Sequence, residues 1–178
     1  MRVITGSARG RRLETLRGDD VTRPTAENVK EALFSMIQFD IEGTRVLDLF
    51  AGSGQLGIEA LSRGADFCVF VENNRNAAAI VKGNVERCGF EGNSQLVMSD
   101  AVSYLTRAGG FDIVFLDPPY NKGLIQKCMP YLAGAVNEGA MIVCETSKTE
   151  DLPEKFIGFS VDRERIYGKT KITLYRKD

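Results

Sequence analysis

At 178 residues, with 43% hydrophobic and 26% charged side chains, the chain suits a single domain whose core needs neither disulfides nor a structural metal. It contains no histidine, which excludes His-based triads, His-ligated zinc and the H-x-E deaminase signature. The net charge is only −1, but residues 1–17 and residues 163–178 each carry +4 against −9 in between. Basic ends on an acidic body suit a polyanionic partner held at one place.

Cys68, Cys88, Cys128 and Cys144 are far apart, with no C-x-x-C pair. They suggest thiols rather than a disulfide framework, and a cytoplasmic protein. The N-terminus lacks an apolar core long enough for a signal peptide, and no stretch reaches the ~20 apolar residues of a membrane span.

In chain order, Arg2–Thr5 and Arg11–Thr15 read as short strands joined by Gly6-Ser7-Ala8-Arg9-Gly10, a hairpin with an arginine-rich tip. Leu16 to Thr22 reads as a loop turning at Gly18-Asp19-Asp20. Thr25 is the expected N-cap of a helix in which Val29, Ala32, Leu33, Met36 and Ile37 recur at helical spacing. From residue 44 strands and helices alternate. The expected strands are Arg45–Phe50, Phe67–Val71, Gln95–Met98, Phe111–Leu116 and Ala140–Cys144, with helices near 55–63, 75–88, 101–107 and 122–134. Alternation at this pitch implies a doubly wound, mostly parallel α/β sheet covered on both faces. Phe159–Tyr167 and Lys171–Arg176 flank Gly168 and close the sheet as a C-terminal antiparallel hairpin, making seven strands. One domain is expected over 1–178, with residues 1–40 as a hairpin-and-helix extension and 41–178 as the core.

The chemistry concentrates at strand ends. Asp48-Leu49-Phe50-Ala51-Gly52-Ser53-Gly54-Gln55-Leu56-Gly57 places G-x-G-x-x-G between a strand and a helix, where glycine lets the backbone turn tightly and approach a ligand. Glu72, 20 residues after Gly52, can accept both hydrogen bonds of a ribose diol, at about 1.5–3 kcal/mol per charge-assisted bond. These two features are common to dinucleotide sites. Three others narrow the choice. Asp48 could hold a cationic amino group but would repel a pyrophosphate. Asp100 suits the exocyclic amine of an adenine, although an acid there is also an ordinary helix N-cap. Asp117-Pro118-Pro119-Tyr120 then ends an apolar strand in a corner stiffened by two prolines, a carboxylate before it and an aromatic ring after it. A cofactor with an ammonium, a ribose and an adenine but no phosphate fits this row of acids, and S-adenosylmethionine is such a molecule.

With these residues the sequence resembles a class I S-adenosylmethionine-dependent methyltransferase, and more narrowly the bacterial small-subunit rRNA guanine-N2 methyltransferase family. The marks are Gly10-Arg11-Arg12-Leu13, Arg23-Pro24-Thr25, Asp48 to Gly54, Leu56 to Ala65, Asp117 to Tyr120 and Tyr167-Gly168-Lys169-Thr170-Lys171-Ile172. The sequence departs from the family pattern at Gln55, usually a small residue, and at Asn73-Asn74. D-P-P-Y is shared with adenine-N6 DNA methyltransferases and identifies an amine rather than a base; the two end segments point to rRNA.

The resemblance implies cofactor contacts from Asp48, Phe50, Gly52, Gly54, Glu72, Asn73, Asp100, Ala101 and Asp117. It implies a catalytic corner of Asp117, Pro118, Pro119 and Tyr120, and rRNA contacts from Arg9, Arg11, Arg12, Arg23, Thr25 and Lys169. No metal is implied. The implied reaction is methylation of guanine 966 of 16S rRNA at N2, within an assembling or assembled 30S particle, with no membrane and no obligate protein partner. Because a purine amine is a poor nucleophile, Asp117 and the Pro118 carbonyl would accept its N–H bonds while the base stacks on Tyr120, at about 1–3 kcal/mol. The target base would be in a loop or flipped out. The alternatives are an adenine-N6 methyltransferase acting on DNA or RNA, a small nicotinamide-dependent oxidoreductase, against which Asp48 and D-P-P-Y argue, and a non-catalytic RNA-binding module on the same fold.

Overall fold

The computed structural model describes residues 1–16 and 23–178, with residues 23–25 described by their backbone alone. The expected Gly18-Asp19-Asp20 turn, and Arg17 before it, lie outside the described residues. The elements are α1 (Arg23–Met36), β1 (Arg45–Asp48), α2 (Gln55–Ser62), β2 (Phe67–Glu72), α3 (Arg75–Cys88), β3 (Ser94–Met98), α4 (Ala101–Leu105), β4 (Phe111–Leu116), α5 (Leu124–Ala135), β5 (Val136–Ser147), β6 (Lys155–Phe156), β7 (Phe159–Tyr167) and β8 (Thr170–Lys177). They form one sheet of order β3-β2-β1-β4-β5-β8-β7-β6. Strands β1 to β5 pair in parallel, and β8 is inserted antiparallel between β5 and β7. The sheet therefore has eight strands rather than the expected seven. The extra strand, β6, has only two residues, held by stacking of Phe156 on Phe159 (4.8 Å between ring centroids) and an edge contact with Tyr175 (4.9 Å).

Alternate residues of each strand feed two cores. Val46, Phe70, Ile113, Phe115 and Val143 face α1, α2 and α3, whereas Leu47, Val69, Val114, Leu116 and Ile142 face α4 and α5. Helix α2 approaches the sheet closely because Gly57 has no side chain. A Cβ there would collide with the Phe70 ring and lie 2.6 Å from Cys68 Sγ. Gly57→Ala is expected to lower the unfolding free energy by about 1–3 kcal/mol in urea denaturation; equal stability would show that the Phe70 ring can give way.

Two local expectations are corrected. Helix α1 starts at Arg23, so Thr25 lies in its first turn and is not its N-cap; Pro24 is tolerated there because the first-turn amides have no intrahelical partner. The N-terminal hairpin is reduced to a single bridge between Arg2 and Arg12, extended by Val3 N–H donating to Arg11 O at 2.9 Å. It is not a two-stranded ribbon because the amides of Ile4 and Thr5 donate to the Glu59 carboxylate of α2 instead, at 2.9 and 3.0 Å. Among the described residues no helix is long and apolar enough to cross a membrane.

Candidate active site

The strand order reverses between β1 and β4, and a crevice outside the carboxyl ends of the strands is expected at such a switch point. A cleft of about 840 Å³ opens there. Its walls come from every parallel strand end predicted to matter: Leu49, Phe50 and Gly52 after β1, Val71 to Asn74 at β2, Ser99 to Val102 after β3, and Asp117 to Tyr120 after β4. Of the expected cofactor contacts, the cleft brings together Phe50, Gly52, Glu72, Asn73, Asp100, Ala101 and Asp117. Gly52 has a φ of 57°, with open space where a Cβ would project, so its backbone is free to approach a ligand.

Glu72 is held in place by the chain. Its carboxylate accepts from Gly52 N–H at 2.8 Å and Asn74 N–H at 2.9 Å. A carboxylate has about four acceptor positions, so two remain for a diol. Asp100 accepts from Ser103 N–H at 3.0 Å as the N-cap of α4, and its bonds to Ser103 hold its pKa below the ordinary value. Asp100 thus caps the helix and also lines the cleft.

Asp48 and Gly54 are not among the cleft residues. Asp48 is 1% exposed and accepts from Gly57 N–H at 3.0 Å beneath the glycine loop, where burial pushes its carboxyl up to about 7. It braces the loop from below by this bond. Gly54, at φ 80°, caps α2, and a side chain there would press on Val81, Ile58 and Phe70. Gln55 begins α2 with its side-chain oxygen buried and unpartnered; the loop accommodates this residue without breaking the helix.

The corner after β4 adds a carboxylate and a phenol to the cleft. Asp117 takes no hydrogen bond or ion pair from any described residue. Burial raises its pKa well above the ordinary value, and the nearby charges of Glu145 and Asp48 raise it further. Tyr120, 38% exposed, donates its hydroxyl to Glu145 Oε1 at 2.9 Å and lies 3.2 Å from Thr170 Oγ1. Burial and the Glu145 charge raise the phenol pKa, so Tyr120 stays neutral and donates. Asn121, immediately after it, adopts φ 59° and donates its N–H to Glu150 Oε2 at 3.1 Å. Asparagine tolerates this left-handed backbone better than most residues.

Glu145 and Thr170 were not foreseen. Glu145 follows the apolar run ending at Cys144, the same pattern of an acid closing a buried strand that singled out Asp117 and Glu72. Thr170 gave no such signal, because its approach to Tyr120 depends on β8 pairing with β5. Lys122 and Lys127 also line the cleft.

The expected RNA contacts separate into two places. Lys169 lies in the β7–β8 turn next to Thr170, on the cleft side. The arginine-rich tip lies elsewhere: Ser7 N–H donates to Ser62 O and Ala8 N–H to Ser62 Oγ. Ser62 ends α2, which starts at the cleft and runs for 8 residues, about 12 Å. The exposed Arg9, Arg11 and Arg12 thus lie toward the amino ends of the parallel strands, away from the cleft. Burial raises the Cys88 thiol pKa at the end of α3, and the nearby Arg11 charge opposes that rise. The side chains of Arg23 and Thr25 lie outside what the structure describes.

This cleft fits S-adenosylmethionine. An apolar wall of Leu49, Phe50, Val71, Ala101 and Val102 can enclose an adenine, the oriented Glu72 can take the ribose, and Gly52 leaves room for the amino-acid end. Fold and cleft together define a class I S-adenosylmethionine-dependent methyltransferase. Residues 1–176 match the protein-family model described as conserved hypothetical protein 95, and the chain belongs to that family, which includes ribosomal RNA small subunit methyltransferase D. The chain is 34% identical to ribosomal RNA small subunit methyltransferase D of Escherichia coli K12, covering 100% of this chain and 90% of that protein. It is 39% identical to YlbH of Bacillus subtilis 168, provisionally named an rRNA methyltransferase, covering 99% of each. A solved Escherichia coli structure, yhhF, provisionally a methyltransferase, superposes with a TM-score of 0.86 at 34% identity, covering 100% of this chain and 98% of that one.

Proposed function

We propose that this chain methylates the exocyclic 2-amino group of a guanine in small-subunit rRNA, at position 966 of the 16S molecule. The observation that carries the reading is Asp117: a carboxylate with no partner among the described residues, at the floor of the cleft beside a neutral, hydrogen-bonded tyrosine ring. Such a carboxylate is a ready acceptor for the N–H bonds of a purine amine. S-adenosylmethionine supplies the electrophilic methyl when bound. Asp117 and the carbonyl of Pro118 orient the amine, and the prolines keep these acceptors fixed, so the rate gain comes mainly from positioning. Tyr120 offers its ring as a stacking platform. Alkylation acidifies the amine, so Asp117 or water can take the departing proton. The basic ends of the chain and the names of the relatives support an rRNA substrate. Arg9, Arg11, Arg12, Arg23, Thr25 and Lys169 are assigned to holding that rRNA, in an assembling or assembled small subunit.

The test is nucleoside analysis after incubation with unmodified small subunits and, separately, with naked rRNA. N2-methylguanosine at a single position, formed on the particle, is expected. N6-methyladenosine would instead support the reading in which D-P-P-Y serves an adenine.

A further inference from the structure

Three lysines from three different loops come together around Tyr120. Lys122 lines the cleft in the loop between β4 and α5. Lys148 follows the last residue of β5, and its N–H donates to Lys169 O at 2.9 Å in the turn between β7 and β8. Thr170, next to Lys169, lies 3.2 Å from the Tyr120 hydroxyl. The three positions are 26 and 21 residues apart in sequence. What joins them is the antiparallel register of β5 with β8, in which Ser147 pairs with Thr170.

All three side chains are exposed, and none makes an ion pair or hydrogen bond with a described residue. Some other cations do have acidic partners: Arg87 pairs with Glu14, Arg176 with Asp40 and Asp162, and Lys177 with Glu138. Three acids of the same region face other groups. Glu145 accepts from Tyr120, Glu150 accepts from Asn121, and Asp151 lies 4.0 Å from Lys171.

We infer that Lys122, Lys148 and Lys169 form a phosphate-binding rim that grips the RNA backbone on both sides of the nucleotide seated in the cleft. This rests on the RNA-substrate reading above. Lysines suit the role because an ammonium on a flexible stem neutralises phosphate as a point charge and carries no base preference. The rim positions RNA, and the corner at Asp117 selects the reacting amine. A rim built from three loops also places the contacts beside the reacting nucleotide, whereas Arg9, Arg11 and Arg12 lie toward the amino ends of the strands.

The test uses the full chain with Lys122→Ala, Lys148→Ala and Lys169→Ala, singly and combined, and the corresponding Lys→Arg set. Binding of an RNA stem-loop with an unpaired guanine is followed in the presence of S-adenosylhomocysteine at roughly 50 to 250 mM KCl. Each Ala substitution should reduce the log Kd against log salt slope by about 0.7–0.9. The triple variant should raise KM for small subunits about tenfold or more, with the loss falling on KM rather than kcat, and Lys→Arg should restore it. An unchanged slope in the triple variant overturns the rim. So does weakened binding of polyglutamate with RNA binding intact, which would mark an acidic-protein surface. Because the slope is read from binding alone, it stands even if the methylated base proves to be adenine, an outcome that would overturn only the guanine assignment.

Discussion

Asp117→Ala is expected to lower kcat for methyl transfer by about 10²–10³-fold, the usual cost of removing a preorganised group that acts on the reacting centre. Affinity for S-adenosylhomocysteine, read by calorimetry, should stay within a few-fold, because Glu72, Gly52 and the apolar wall remain. Asp117→Asn, which keeps one acceptor oxygen, should lose less. Unchanged turnover in the Ala variant would remove Asp117 from the reaction. The same residue has a stability cost. Burial raises its pKa and those of Glu145 and Asp48, and Glu145 and Asp48 further penalise a charge on Asp117. A carboxyl whose pKa is higher in the folded chain holds its proton more tightly when folded. Its favourable contribution is complete below the unfolded value of 3.8 and is lost as pH rises through the folded value, about 7 for Asp48. The wild type should therefore lose stability from pH ~4 upward through neutrality. Asp117→Asn removes one charge from this set. At pH ~8 it should gain about 1 kcal/mol, or roughly 2–4 °C in Tm, and the gain should shrink as pH falls toward ~5. Thermal melts of both proteins across that range check it, and a gain independent of pH would show that the charge of Asp117 is not its cause. An acceptor that costs stability and supports turnover is what a functional site is expected to contain.

What could be read from the chain beforehand was whatever depends on neighbouring residues. The glycine loop, the carboxylate at Glu72 and the proline corner each follow a buried apolar run, whereas the cap at Asp100 follows the part-exposed edge strand β3; the end of each strand locates the residue at the rim of a parallel sheet. Direction across the loop was not legible. Asp48 ends its strand just as Glu72 does, yet its side chain turns under the loop to Gly57 N–H, and nothing local distinguishes the two. The hairpin pattern at Arg2–Thr15 was correct in outline, but its ladder is broken by a carboxylate more than 50 residues away. Glu145, Thr170 and the three lysines depend on β8 inserting beside β5, a pairing set by long-range topology. The strand β6 is too short to have any periodicity; its aromatic contacts define it.

Glu59→Ala is expected to be the most destabilising of the substitutions considered, at about 3–5 kcal/mol, because it removes one partner of a buried charge network. Glu59 is fully buried, and its carboxylate takes donors from three parts of the chain. The amides of Ile4 and Thr5 and the Arg63 side chain donate to it, and Lys30 Nζ lies 3.4 Å away. Lys30, only 2% exposed, also donates to Arg2 O at 2.7 Å; burial lowers its pKa and the Glu59 charge opposes that. Without Glu59, two backbone amides and an ammonium are left desolvated with no carboxylate. The N-terminal segment should then detach before the sheet melts, freeing the backbone after the already exposed Arg9, Arg11 and Arg12 to enter the trypsin site. Limited proteolysis beside a urea melt separates this from global loosening: early cleavage after those arginines with residues 45–178 intact is expected, and a loss below ~1 kcal/mol would show that the network does not hold the segment. The consequence reaches the cleft through Asn84, whose side chain donates to Glu14 O and to Ser53 O in the glycine loop and accepts from Glu14 N–H. Leu16, two residues beyond Glu14, forms part of the cleft wall. Releasing the segment should therefore raise KM for S-adenosylmethionine while Asp117 and Tyr120 remain in place. The residues from Leu56 to Ala65 that carried part of the family resemblance then have a physical reason: Glu59 and Ser62 of one helix anchor the N-terminal segment, whose Leu16 forms part of the cleft wall, and Arg63 holds Glu59 in place.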